Sequence, residues 1–171
     1  KVSISNKTQL YSGGVINFTM YATDTSNNVK QNSTLLTVTL RCRNLDRHNF
    51  LYNMTQDANS AGTCMNITAN NVTLDCQGFE INYSQVDVGY GINISSQNYT
   101  TVRSCDIVQA DLGSDNSNAY AVYLYNYVKN TSVFNNSITT YGGNSYGFYL
   151  TSNVNNNSIY ENFVITRGNS D

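Results

Sequence analysis

Short runs of alternating apolar and polar residues recur along this chain, separated by clusters of Asn, Ser and Gly. "GTCMNIT" at 62–68, "YGINISS" at 90–96, "YAVYLYN" at 120–126 and "YGFYLTS" at 146–152 align on one template. Met65, Ile92, Val122 and Phe148 fall in one column, and Ile67, Ile94, Leu124 and Leu150 fall two residues later. A second strand column holds Leu74, Val102, Val133 and Ile159, and a third holds Ile81, Ile107, Ile138 and Val164. Alternation with period two puts each column on one face of a strand. The repeat runs from 26 residues (Ile81 to Ile107) to 31 (Val102 to Val133), and the variation sits before each Tyr-Gly or Tyr-Ala pair.

Three short strands repeated at that spacing predict an all-β fold, a right-handed parallel β-helix of about four coils over 42–171. One coil cannot close a core, but stacking buries the columns and pairs each strand with the strand above it. Coils lie roughly 4.8 Å apart, so like residues form ladders. Cys105, Asn136 and Asn162 share a position two residues before the third column. There we expect an inward polar ladder, with amides bonding along the stack. A sandwich of antiparallel hairpins would explain the alternation, but not fixed columns with variable loops at one corner.

Residues 1–41 read differently. Ile16, Phe18 and Met20 alternate on one strand, Leu36, Val38 and Leu40 on a second, and a polar turn joins them. This predicts an N-terminal antiparallel β-hairpin, either an immunoglobulin-like fragment completed by another chain or copy, or a cap on the β-helix. At the other end, 147–171 reads as a coil in full register with no amphipathic cap. The expectation is a longer chain or an abutting second copy.

"NITANNVTLDCQGFEIN", "GYGINIS" and "TTVRSCDIV" resemble the right-handed β-helix repeats of the pectin-lyase-like superfamily. They are most similar to the NosD-like and carbohydrate-binding/sugar-hydrolase repeats of archaeal surface proteins, over roughly residues 42 to 164. The resemblance implies a fold. It does not imply one activity, because the superfamily mixes enzymes, binders and structural proteins.

Composition agrees with strands and turns. The chain has 28 Asn, 18 Ser, 18 Thr and 14 Tyr against 2 Glu and 4 Lys, so we expect almost no helix. A net charge of -2 with 12% charged residues offers no basic patch for nucleic acid. No apolar run reaches the length of a membrane span.

Twelve N-x-[ST] triplets begin at Asn6, Asn17, Asn32, Asn53, Asn66, Asn71, Asn82, Asn93, Asn98, Asn130, Asn135 and Asn156, against about 6 from chance placement. That excess points to an extracellular or cell-surface protein carrying covalent N-linked glycans. Asn71, Asn130 and Asn156 lie three residues before the second column, and Asn98 lies one place off. Asn66 and Asn93 share an outward position that Tyr123 and Tyr149 occupy on later coils.

Cys76 and Cys105 follow the same column on successive coils, which makes a bridge between them sterically plausible. Cys42 and Cys64 would then tie the entry segment to the first coil. Three pairings remain open, with buried free thiols as the alternative to bridges.

Chemistry is sparse. Asp75, Asp87, Asp106, Asp111 and Asp115 are scattered, and Arg103 beside Asp106 and near Asp75 is the sole arrangement to name. A plain surface pair explains it, so no catalytic residue, metal site or cofactor is assigned. His48 reads as a surface or capping residue. Tyr123, Tyr125 and Tyr149 are candidates for stacking on sugar rings, with aromatic cover of a strand face as the alternative. The expected role is a structural or adhesive surface module that self-associates end to end, by strand complementation or with neighbouring domains. A carbohydrate-binding or carbohydrate-processing β-helix is the alternative.

Overall fold

The three apolar columns stack into three parallel sheets, each of five strands. In the computed structural model, residues 40–111 and 117–168 are described in full, along with the backbone of two strands nearer the N-terminus. Those two strands, β1 (Val15–Thr23) and β2 (Val29–Thr37), form the expected antiparallel hairpin, with Ile16 opposite Leu36 and Phe18 opposite Thr34. Among the described residues there is no helix.

The first sheet contains β3 (Arg43–Leu45), β6 (Met65–Ile67), β9 (Ile92–Ser95), β12 (Val122–Tyr125) and β15 (Phe148–Thr151). The second contains β4 (Phe50–Asn53), β7 (Val72–Asp75), β10 (Thr101–Arg103), β13 (Ser132–Phe134) and β16 (Ser158–Tyr160). The third contains β5 (Ala58–Asn59), β8 (Glu80–Tyr83), β11 (Asp106–Gln109), β14 (Ser137–Thr140) and β17 (Phe163–Thr166). Register matches the sequence columns: Met65 pairs with Ile92, Val122 with Phe148, Leu74 with Val102, and Ile107 with Ile138. Ile81, Ile92, Ile94, Val102 and Ile107 are fully buried. Each such side chain contributes about 1.5–3 kcal/mol by leaving water.

The solenoid has five coils, one more than the sequence columns predict. The additional coil spans 43–59 and repeats after a short interval, since Cys42 and Cys64 are separated by 22 residues. Its position in the first column is held by Arg43, which is exposed, and its third-column residue is only Ala58. Neither residue signals a core position. Leu40, read from alternation as hairpin, lies beyond the end of β2 and is fully buried in the solenoid core. Val38 lies outside the described residues.

The corners explain the asparagine content. Between the first and second sheets, Asn49, Asn71, Tyr99, Asn130 and Asn156 have φ of 56°, 54°, 59°, 53° and 54°. Between the second and third, Ser104, Asn135 and Glu161 have φ of 54°, 53° and 54°. Asn enters this left-handed region more readily than other residues with a side chain. A corner repeated on every coil therefore selects Asn again and again.

The Gly or Ala after each repeating Tyr has a packing cause. The backbone N–H of Cys64, Gly91 and Ala121 bonds to the carbonyl of Tyr90, Tyr120 and Tyr146 respectively, which aligns Cys64, Gly91, Ala121 and Gly147 across coils. A Cβ on Gly91 would meet Ile107 Cγ2 at 2.5 Å and the Ala121 carbonyl oxygen at 2.6 Å. Only small residues let the first and third sheets meet there.

Two disulfides, Cys42–Cys64 and Cys76–Cys105, join adjacent coils, with Cα–Cα distances of 4.3 and 4.7 Å. Stacked coils lie about 4.8 Å apart, which is close to the separation a disulfide spans. The inward polar ladder is present. Asn136 Oδ1 accepts from the Cys105 N–H at 2.9 Å, and Asn136 Nδ2 donates to Asn162 Oδ1 at 2.8 Å. Asn162 Nδ2 in turn donates to the Val133 carbonyl at 2.9 Å. The apolar column is covered at the first coil, where Leu45 and Tyr52 are fully buried. On the last coil Leu150, Ile159 and Val164 are 42%, 38% and 40% exposed.

Candidate functional site

The outward positions of the same strands form rows, because parallel register carries a residue type from coil to coil. On the first sheet the row begins as amides. Asn66 Nδ2 donates to Asn44 Oδ1 at 3.1 Å, and Asn93 Nδ2 donates to Asn66 Oδ1 at 2.8 Å. On the next coil the row turns aromatic, since Asn93 pairs with Tyr123 and Tyr123 with Tyr149.

Six tyrosines pack into one group there. Tyr120 lies 5.7 Å from Tyr90 and 5.8 Å from Tyr146, with interplanar angles of 11° and 16°. Tyr120 and Tyr149 are 4.3 Å apart, Tyr123 and Tyr90 are 4.6 Å apart, and Tyr125 lies 5.7 Å from Tyr123. Burial, then the neighbouring phenols, raise the Tyr120 and Tyr123 phenols above the ordinary tyrosine range. Of the three tyrosines singled out from sequence, Tyr123 and Tyr149 are half-buried with their rings against other rings. Tyr125 is exposed. Tyr146, also exposed, joins the same group.

A second outward ladder runs along the corner between the first and second sheets. His48 Nδ1 accepts from the Asn70 N–H at 3.3 Å, Asn70 Oδ1 from the Asn98 N–H at 2.7 Å, and Asn98 Oδ1 from the Lys129 N–H at 2.9 Å. His48 is thus the exposed first member of a corner ladder.

The structure separates the charges that the sequence placed together. Arg103 pairs with Asp75 on the neighbouring coil, Nη2 to Oδ2 at 2.9 Å, with Nε to the same oxygen at 3.0 Å. Asp106 stands on the third sheet, in register with Glu80. Asp57 completes a carboxylate column, its Oδ1 accepting from the Glu80 N–H at 2.8 Å. Burial raises the Glu80 carboxyl, and the Asp106 and Asp57 charges add to that shift. Glu80 and Asp106 each stand one residue before the third column, but Asp57 escaped sequence reading because its coil and that of Glu80 differ in length. Among the described residues no group of three His, Cys, Asp or Glu could hold a metal ion. Asp115 lies outside them.

A buried amide was also missed. Gln109 is fully buried, and its Oε1 accepts from the Tyr141 N–H at 3.0 Å, fixing the loop after β14. Gln109 ends β11 as an inward residue two places after Ile107, so period two alone was enough to find it.

Nine of the twelve glycosylation triplets fall where side chains are described. Asn71, Asn130, Asn135 and Asn156 are exposed left-handed corner residues. Asn53, Asn66, Asn82, Asn93 and Asn98 are partly buried. Asn17 and Asn32 lie on β1 and β2, where only the backbone is described, and Asn6 lies outside the described residues.

Together these features define a parallel β-solenoid with polar and aromatic outward rows and adjacent coils joined by disulfides. Compared with protein-family models, curated proteins and solved structures, the chain matches none. Two disulfide pairs are compatible with an extracellular protein. No helix among the described residues is long and apolar enough to cross a membrane.

Proposed function

We propose that the chain is a module of an extracellular, N-glycosylated surface protein whose role is structural or adhesive, with the repeating subunit of a filament or stalk as its concrete form. The observation that carries this reading is like-on-like stacking through five coils on three sheets. Such stacking makes a stiff, quasi-one-dimensional body rather than a cleft. The inter-coil disulfides and the outward Asn corners favour the same reading. So does the resemblance of the repeat to pectin-lyase-like β-helices of archaeal surface proteins. Self-association or neighbouring domains would supply the assembly.

Imaging of native particles, with glycopeptide mass spectrometry on protein from its natural source, tests the proposal. Fibres or a surface coat bearing sugar-modified peptides are expected. An intracellular location, or natural material without any sugar, would overturn it.

The six-tyrosine group favours a second reading, a carbohydrate-binding face. Saturable polysaccharide binding that is lost in Tyr123→Ala and Tyr149→Ala would select that reading. A negative glycan array would remove it.

A further inference from the structure

A glycosylation triplet needs its amide and its hydroxyl together, so an enzyme acting on a folded chain must reach both. In a period-two strand the first and third residues of a triplet face the same way, and a shift of one residue turns them to the other side. The solenoid separates the acceptors by this test, and Asn156 with Ser158 on the last coil is exposed at both residues, as Asn135 and Ser137 are. At Asn135 the left-handed corner puts the amide outside, places Asn136 inward on the amide ladder, and brings Ser137 out at the start of β14. Both Asn135 and Ser137 are exposed, while Asn136 is 3% exposed. The pair lines one open groove with Ser104, Glu161 and Phe163, and Phe163 is 65% exposed.

Asn98 fails the test for a specific reason. On its coil the left-handed residue is Tyr99, φ 59°, so the triplet sits one place out of phase. The Thr100 hydroxyl is consequently turned inward, and the residue is 1% exposed. Asn82 fails too, because Ser84 is fully buried with its Oγ accepting from the Gly89 N–H at 2.8 Å. Asn66, Asn71 and Asn93 have part-blocked amides, their Nδ2 atoms donating to amide oxygens on adjacent coils at 3.1, 2.7 and 2.8 Å, whereas Asn135 Nδ2 makes a longer bond, 3.3 Å, to the Ser104 hydroxyl. Asn130 has an exposed amide beside a half-buried Ser132.

We infer that the folded solenoid is a selective glycan acceptor, in which Asn135 takes an N-linked sugar and Asn82 and Asn98 do not. The inference rests on the glycoprotein reading above, with the sugar added after the coils have stacked. The disulfide-intact protein would be treated with a single-subunit oligosaccharyltransferase and a short lipid-linked oligosaccharide. The same chain, reduced, alkylated and unfolded, would be treated in parallel, with occupancy read peptide by peptide. On the folded chain, occupancy at Asn135 should exceed that at Asn82 and at Asn98 by at least tenfold. Unfolding should bring all three to within about threefold of one another. Modification of folded Asn82 or Asn98 at the level of Asn135 would overturn the inference, and so would an unmodified Asn135 in the folded form. The glycoprotein reading is judged on natural material, so the two fail separately.

Discussion

Replacing Cys76 and Cys105 together by Ala isolates what one inter-coil bridge contributes. The two residues are 29 apart in sequence, and the bridge holds their Cα atoms at 4.7 Å, close to the natural spacing of stacked coils. Because the native geometry already presents that separation, the bridge acts mainly on the unfolded chain, which it closes into a loop of one coil. For a loop of 29 residues the chain-entropy relation gives about 3.6 kcal/mol at 25 °C. Both residues are buried, so Ala keeps a compact apolar side chain and leaves no orphaned hydroxyl. Urea unfolding followed by circular dichroism should show that loss. Hydrogen exchange should place it in the coils spanning 65–83 and 92–109, because solenoid coils depend chiefly on their neighbours. A loss below about 1 kcal/mol, with unchanged exchange in those coils, would refute the loop-entropy argument. It would mean that the unfolded chain already keeps adjacent coils together.

Three further outcomes follow from the ladders and columns. Asn136→Leu strips the partner from the buried Cys105 N–H, which now donates at 2.9 Å, and should cost about 1–3 kcal/mol in urea unfolding. Gly91→Ala forces a Cβ against Ile107 and the Ala121 carbonyl and should cost about 1–3 kcal/mol, while Ala121→Gly, which removes a Cβ rather than inserting one, should cost about 1 kcal/mol or less. Glu80→Gln should stabilise at pH 7 by under about 1 kcal/mol, since the site is only partly buried. The sign follows from the raised folded-state pKa: Glu80 favours folding fully below its ordinary value of 4.5, and that contribution is lost as pH rises through the folded-state value. The gain from Gln should therefore disappear in melts well below pH 4.5, where both states hold a protonated carboxyl.

Local sequence was sufficient for everything that repeats with the strand. The columns through Met65, Leu74 and Ile81 appear in register as read, and so does the amide ladder through Asn136 and Asn162, because period-two alternation and a near-constant coil length encode them directly. Three cysteine pairings are open in the sequence, and stacking selects Cys76–Cys105 and Cys42–Cys64 by bringing each pair onto adjacent coils. What required the tertiary structure was whatever depends on how unequal loops bring coils together. The coil at 43–59 departs from the template at Arg43 and Ala58 and has a short interval, so its pairing with β6, β7 and β8 is what reveals it. Asp57 was drawn under Glu80, completing a column with Asp106, by register between coils of different length. The asparagine triplets divide along the same line. Their spacing is visible in the chain, but a one-residue difference in where the corner turns decides which hydroxyls face water. At Ser137 the turn leaves the hydroxyl exposed, and at Thr100 it buries it.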